Sequence, residues 1–119
     1  MIFLPYISGW GKMKHPGTSV NILQQASLKI VPKPVCHALN FKNYKIAVKY
    51  SMVCAGHGPD DKRSGCHGDS GGPLVCQEGD GSWKQQGVVS WGSGRCDTKL
   101  GYTVFSRVSH HMEWIQKNM

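Results

Sequence analysis

One short run, Gly68–Pro73 with the sequence Gly-Asp-Ser-Gly-Gly-Pro, constrains this chain more than any other feature. It places the Ser70 hydroxyl between glycines and beside a carboxylate, within a frame formed by Cys66 and Cys76. Glycine permits backbone conformations closed to other residues and lets another molecule approach closely. Neighbouring backbone N–H groups can then converge on one point, which stabilises an oxyanion. The run therefore predicts a reactive serine in a tight turn, although Gly-Asp-Ser-Gly fragments also occur in ordinary turns.

The cysteines of this chain indicate disulfide bonds. Five cysteines in 119 residues are typical of a protein from an oxidising compartment. A zinc site is the alternative, but the chain has no Cys-x-x-Cys pair, and its histidines do not follow a ligand spacing. We therefore expect disulfides and no metal, with a connectivity that cysteine positions alone do not define.

Short strand-like runs separated by turn residues fill most of the chain. Apolar and polar residues alternate over Ala26–Ile30, which predicts a half-buried strand. Further strands are predicted at Ile7–Gly11, Met52–Ala55, Pro73–Gln77, Trp83–Trp91 and Tyr102–Arg107. Six short strands at this spacing favour a small antiparallel barrel.

The end of the chain carries a helical pattern instead. From about Ser109, the apolar residues Met112, Ile115 and Met119 recur at helical spacing, which predicts a short amphipathic helix. No repeat and no linker divides residues 1–119. We therefore expect one domain, mostly of β-structure.

The run around Ser70, its two cysteines and the tripeptide Gly9–Gly11 resemble the chymotrypsin-like serine endopeptidases of the trypsin family. The resemblance extends from about Ile7 to Met119 and covers only the C-terminal half of that family. It implies an all-β fold, the six-stranded antiparallel Greek-key barrel that forms the second half of such a protease, with a short C-terminal helix and another helix near Pro34–Asn40. Residues 1–119 would thus be a partial peptidase domain, and the N-terminal barrel with the triad His and Asp would be absent from this chain.

The resemblance also implies roles for the residues around the serine. Ser70 would be the nucleophile of acyl-enzyme chemistry, and the backbone N–H groups of Gly68 and Ser70 would form the oxyanion hole. Asp69 would accept the α-ammonium group that is released when a zymogen is cut, as an activation ion pair. These roles would make the chain part of a serine-type endopeptidase.

A second group of residues would bind the substrate: Ser64, His67, Ser90, Trp91, Gly92 and Thr103. The segment Ser90–Gly92 would pair with an extended peptide as an added strand. Ser64 occupies the family position at the base of the specificity pocket and carries no charge, and His67 would lie at the pocket entrance. Elastase-like spacing between Cys96 and Val108 would place Thr103 on the wall opposite Gly92. A neutral pocket of this kind favours Leu, Met, Phe or Tyr before the scissile bond.

The family pattern implies a disulfide connectivity as well. Cys36 would pair with Cys54, and Cys66 would pair with Cys96. Cys76 is then left unpaired, because its family partner would stand at the position of Pro5. Each disulfide would stabilise the fold by roughly 3 kcal/mol in the loop-entropy model.

The charge of the chain does not identify a further partner. The formal net charge is +7, but its lysines are scattered, without a basic helix face or an aromatic stacking platform. This pattern predicts a solvated surface, and we expect no nucleic acid, no membrane and no cofactor. No apolar run approaches the ~18 residues that span a bilayer. The first five residues lack the basic region and cleavage site of a signal peptide, so secretion is inferred from the family and the cysteines.

Three interpretations of function follow. The first is a secreted serine endopeptidase that acts on protein or peptide substrates together with the N-terminal barrel, so that this chain alone is inactive. The second is a non-catalytic homologue that uses the same fold as a binding module. The third is a truncated product without function. The intact glycine frame around Ser70 favours the first.

Overall fold

The computed structural model describes residues 5–13, 16–58, 63–92, 96 and 99–119. Its strands are β1 (Tyr6–Gly9), β2 (Gln24–Ser27), β3 (Ile30–Val31), β4 (Met52–Ala55), β5 (Pro73–Gln77), β6 (Trp83–Trp91) and β7 (Thr103–Arg107). Its helices are α1 (Lys33–Tyr44) and α2 (Met112–Lys117), and a 3₁₀ turn over Val108–His111 precedes α2. None of the helices in these ranges is long and apolar enough to cross a lipid bilayer.

The strands within the described ranges form one antiparallel sheet with the order β2-β1-β5-β6-β7-β4-β3. The two edge strands, β2 and β3, are separated along the chain only by Leu28 and Lys29. The N–H of Leu28 donates to the carbonyl of Pro5 over 2.8 Å, and the N–H of Gly56 donates to the carbonyl of Lys29 over 2.8 Å. One bent segment therefore contributes both edges, and the sheet curls into a half-barrel.

This architecture confirms the predicted antiparallel β-fold with a short C-terminal helix. The strand count within the described part of the chain is seven rather than six, because the single strand predicted at Ala26–Ile30 is interrupted. Leu28 is fully buried at the interruption. Its turn into the core bends the segment from one edge of the sheet to the other.

Two apolar clusters fill the interior. The first lies inside the curl of the sheet and consists of Ile7, Leu28, Ala55, Leu74, Val89 and Phe105. The second lies nearer α1 and consists of Cys36, Val48, Cys54, Tyr102 and Val104. The disulfide between Cys36 and Cys54 joins α1 to β4 within this second cluster.

Helix α1 is longer than the segment Pro34–Asn40 that the family resemblance implied. Proline is favourable in its first turn, where backbone N–H groups have no helical acceptor. The helix ends at Tyr44 and is capped by Lys45, which adopts a left-handed conformation with φ of 59° and donates its N–H to the carbonyl of Phe41. Such a left-handed cap satisfies a carbonyl that the helix would otherwise leave unbonded.

Asn40 is the one described polar residue that α1 buries completely in the protein interior. Its Nδ2 group donates to the carbonyl of Tyr102 over 3.1 Å, and the N–H of Tyr102 donates to its Oδ1 over 2.8 Å. Both polar atoms of the side chain are thus satisfied by one backbone position. This pair of bonds fixes the helix against the start of β7.

We expect Asn40→Ala to lower the free energy of unfolding by about 2–4 kcal/mol, because both backbone groups of Tyr102 would be left buried without a partner. The measurement is the urea midpoint followed by tryptophan fluorescence. Asn43→Ala is the matched control, since Asn43 donates to two carbonyls at an exposed position. Equal losses in the two variants would contradict the structural role of Asn40.

Candidate active site

Ser70 lies on the loop that leads into β5, and two backbone hydrogen bonds fasten this loop to β6. The N–H of Gly71 donates to the carbonyl of Val89 over 2.9 Å, and the N–H of Val89 donates to the carbonyl of Gly72 over 2.9 Å. Ser70 itself is exposed. The hydroxyl is therefore presented to solvent from a loop whose far end is held by the sheet.

The backbone N–H groups of this loop divide into two sets. The N–H of Asp69 donates to the carbonyl of Cys66, and the N–H of Gly72 donates to the carbonyl of Asp69, each over 2.9 Å. No group in the described part of the chain accepts the N–H of Gly68 or of Ser70. Gly68 has a φ of 100°, which side-chain-bearing residues rarely adopt. Two N–H donors on either side of Asp69 thus remain available to an incoming anion.

The Asp69 carboxylate anchors the Ser70 loop through two hydrogen bonds. Its Oδ1 accepts the N–H of Gly11 over 2.9 Å, and its Oδ2 accepts the N–H of Cys66 over 3.0 Å. Gly11 leaves room for this carboxylate, because a β-carbon there would lie 2.5 Å from Cγ of Asp69. Gly9, the last residue of β1, also leaves room for the Asp69 carboxylate. Within the described residues, no lysine or arginine lies within 4.0 Å of this carboxylate.

A cavity of about 220 Å³ opens beside Ser70. It is lined by Gly65, Cys66, His67, Ser70, Val89, Ser90, Trp91, Gly92 and Thr103. Apart from Ser64, all residues proposed to bind substrate therefore share one cavity with Ser70. None of the lining residues is Asp, Glu, Lys or Arg, so the cavity carries no fixed charge.

Ser64 lies next to this cavity rather than on its surface. It lines a separate cavity of about 260 Å³, which also exposes Asp69, Lys12 and Arg63. The Ser64 Oγ donates to the carbonyl of Gly65 over 3.1 Å. The position that the resemblance assigns to the pocket base is thus one residue away from the lining.

Gly65 and Val89 complete the walls of the Ser70 cavity. The N–H of Gly65 donates to Oγ1 of Thr103 over 3.1 Å, which joins two walls directly. A β-carbon at Gly65 would lie 3.3 Å from both the Thr103 methyl group and the Val89 side chain. Sequence reasoning did not name Gly65 or Val89 as lining residues. In the sequence, these two residues were distinguished only by standing next to Ser64 and Ser90, which were expected to bind substrate.

The two disulfides of the structure are Cys36–Cys54 and Cys66–Cys96. The second anchors the start of the Ser70 loop. Its sulfurs lie within 4.8 Å of a ring nitrogen of His67, a distance compatible with shared metal ligation. Because a metal would need both thiolates, the intact disulfide prevents that use. Cys76 belongs to neither disulfide and is partly buried on β5.

The sequence can now be placed among known proteins. Residues 4–115 match the family described as Trypsin. The chain is 46% identical over 115 residues to Proproteinase E of Bos taurus, covering 96% of this chain and 44% of that protein. It is 44% identical to Chymotrypsin-like elastase family member 3B of Homo sapiens and 42% identical to Chymotrypsin-C of Rattus norvegicus, each over 115 residues, 96% of this chain and 41% of the relative.

The chain therefore belongs to the trypsin family, as its motifs predicted. Its similarity includes chymotrypsin-like and elastase-like members. The chain spans less than half the length of the relatives it matches, 44% and 41% in these cases.

We expect Asp69→Asn to loosen the Ser70 loop, since one of the two N–H groups would face an amide NH₂ instead of an oxygen. Amide hydrogen exchange at Gly11 or Cys66 should then rise at least ~10-fold, because a hydrogen bond to a charged group contributes about 1.5–3 kcal/mol.

Asp80→Asn provides the matched control. The Asp80 carboxylate accepts the Ser82 hydroxyl and N–H in an exposed turn, and these bonds lower the pKa of Asp80. Its variant should change exchange only near Ser82. Equal acceleration at Gly11 in both variants would show that Asp69 does not hold the loop.

Proposed function

We propose that this chain is the nucleophile-bearing half of a secreted serine endopeptidase. The observation that carries the proposal is the placement of the exposed Ser70 hydroxyl in one cavity with Ser90–Gly92, beside two N–H groups that have no acceptor in the described part of the chain. Membership of the trypsin family supports it, as do the names of the relatives, which include a proteinase, an elastase family member and a chymotrypsin. The two disulfides favour an oxidising, extracellular compartment.

In the proposed reaction, the Ser70 Oγ attacks the carbonyl carbon of a peptide bond while a base removes its proton. The N–H groups of Gly68 and Ser70 donate to the resulting oxyanion. The C–N bond breaks, the amine leaves with the proton from the base, and an acyl-serine ester remains. Water then attacks this ester, the acid product leaves, and the hydroxyl of Ser70 is restored.

The base and its orienting carboxylate are proposed to come from an N-terminal barrel outside residues 1–119. His57 is engaged elsewhere, since its Nε2 lies 2.8 Å from the carbonyl of Ser27. His67 lines the Ser70 cavity but is exposed on the same loop as the nucleophile. Neither lies in the family context of a triad histidine.

The cavity beside Asp69 is proposed to receive the α-ammonium group of an activated chain. Two N–H donors hold the carboxylate, and no described cation lies within 4.0 Å of it. A partly buried carboxylate gains most from a directly paired cation, because the pair offsets its loss of hydration. Such an ion pair would stabilise the loop that carries Gly68.

A hybrid protein tests the specificity. It joins the N-terminal part of bovine Proproteinase E to this chain and is activated by limited proteolysis. We expect peptides with Leu, Phe, Tyr or Met before the scissile bond to be cut faster than peptides with Arg or Lys, since the Ser70 cavity carries no fixed charge.

Ser64→Asp in this hybrid should raise kcat/KM for Arg and Lys peptides by placing a carboxylate next to the cavity. Gln116→Asp adds the same charge at an exposed position of α2 that does not line the Ser70 cavity, and it should leave kcat/KM for these peptides unchanged. A profile led by Arg in the unmodified hybrid would contradict the proposed neutral pocket.

A fluorophosphonate probe tests the catalytic assignment. The 119-residue chain alone should not be labelled, because loss of the base from a comparable triad lowers turnover by about 10⁶-fold. The activated hybrid should be labelled stoichiometrically, and its Ser70→Ala variant should not. A folded, activated hybrid that fails to label would favour the non-catalytic binding module. Stoichiometric labelling of the lone chain would place the base within it, with His57 and His67 as the residues to mutate.

A further inference from the structure

Two cationic side chains converge on one exposed aromatic ring outside the Ser70 cavity. The Lys33 Nζ lies 4.5 Å from the ring centroid of Tyr50, and the Arg107 guanidinium carbon lies 4.9 Å from it. The edge of His110 contacts the same ring at a centroid distance of 5.7 Å. Tyr50 is 71% exposed, so this arrangement faces solvent. None of these residues lines the Ser70 cavity.

No carboxylate in the described part of the chain neutralises this group. Each described Asp or Glu side chain is engaged elsewhere: Asp69 with Gly11 and Cys66, Glu78 with Lys84, Asp80 with Ser82, and Glu113 with Lys117. The like charges of Lys33 and Arg107 therefore repel each other without a described counter-charge. Partial desolvation lowers the pKa of Lys33, and the neighbouring Arg107 charge lowers it further.

The hydrogen-bond donors of these two side chains are largely unused. The Arg107 Nη2 donates to the carbonyl of Met52 over 3.2 Å, which occupies one of five guanidinium N–H donors. The Lys33 ammonium has no acceptor among the described residues. An anion placed between the two groups would relieve their repulsion and accept several charge-assisted hydrogen bonds at once.

The positive surface continues along helix α1. The ring of His37 stacks on Phe41 at 5.3 Å, and the Lys45 Nζ lies 6.0 Å from the same Phe41 ring. Lys45, the residue that caps α1, follows Lys33 by twelve positions, which corresponds to about 18 Å along the helix axis. A single small anion could reach only one end of this surface, whereas an extended polyanion could reach both.

We propose that this chain binds a sulfated polysaccharide through a surface formed by Lys33, Arg107, Tyr50 and Lys45. We call this the α1 basic surface. The planar guanidinium fork matches the oxygens of tetrahedral oxyanions such as sulfate. The two disulfides favour an oxidising, extracellular compartment. Sulfated glycans are polyanions that a protein meets outside the cell. Nucleic acid fits less well, because base stacking needs open aromatic faces, and cations approach both Tyr50 and Phe41. The proposal does not depend on peptidase activity.

The first test measures binding of a heparin octasaccharide to the refolded chain as a function of salt. Lys33→Gln should weaken binding by about fivefold or more and lower the slope of log K against log salt by roughly one, as removal of one ionic contact does. Lys84→Gln is the matched control, since it removes the same charge from the Glu78 pair on β6. It should change the affinity less than about twofold.

The second test uses the unmodified chain, so it does not depend on the folding of a variant. Lysines are acetylated with and without heparin, and their modification is quantified by mass spectrometry. Heparin should protect Lys33 and Lys45 and leave Lys84 reactive. Equal protection of all three lysines, equal losses in the two variants, or equally tight binding of single-stranded DNA with the same number of charges would overturn the proposal.

Discussion

The candidate site depends on the two hydrogen bonds that the Asp69 carboxylate accepts. This carboxylate joins the backbone after β1 to the start of the Ser70 loop through Gly11 and Cys66, segments distant in sequence. Hydrogen bonds to a charged acceptor contribute about 1.5–3 kcal/mol, more than most neutral ones. The opposite side of the loop is held by β6 through Val89. Gly68 therefore lies on a loop that is attached on both sides, through Asp69 and through β6. These attachments hold its left-handed backbone, with φ of 100°, in place.

Local sequence patterns account for much of the fold. The bounds of β4, β5 and β6 agree with the predicted strands, because their residues have strand-like composition and turn residues flank them. The bend at Leu28 could not be predicted in the same way. It arises because one segment pairs with two different edges of the curled sheet, and that constraint exists only in the folded chain. The part of α1 beyond Asn40 also has a partner distant in sequence, since Asn43 donates to the carbonyl of Leu100.

The same division applies to the site. Ser70, Gly68 and Asp69 could be proposed as site residues from six consecutive residues, because the chemistry of an oxyanion site requires such a local arrangement. Gly65 and Val89 could not, since they meet only after β6 packs beside the loop. The α1 basic surface could not be predicted from the sequence either. Its lysines look scattered in the sequence, and only the packing of β7 against β4 brings Arg107 to the ring of Tyr50.

The bent segment between β2 and β3 has a consequence for how the chain folds. Strand β1 pairs with β5, and β4 pairs with β7, so two of the six strand pairings in the described residues join strands that are distant along the chain. A topology rich in distant pairings folds slowly, on the order of milliseconds to seconds, because loop-closure entropy is lost before contacts compensate for it. Leu28 and Lys29 bond to the chain near both edges of the sheet. The hydrogen bonds of Leu28 and Lys29 can therefore form together only after the strands at both edges of the sheet have paired.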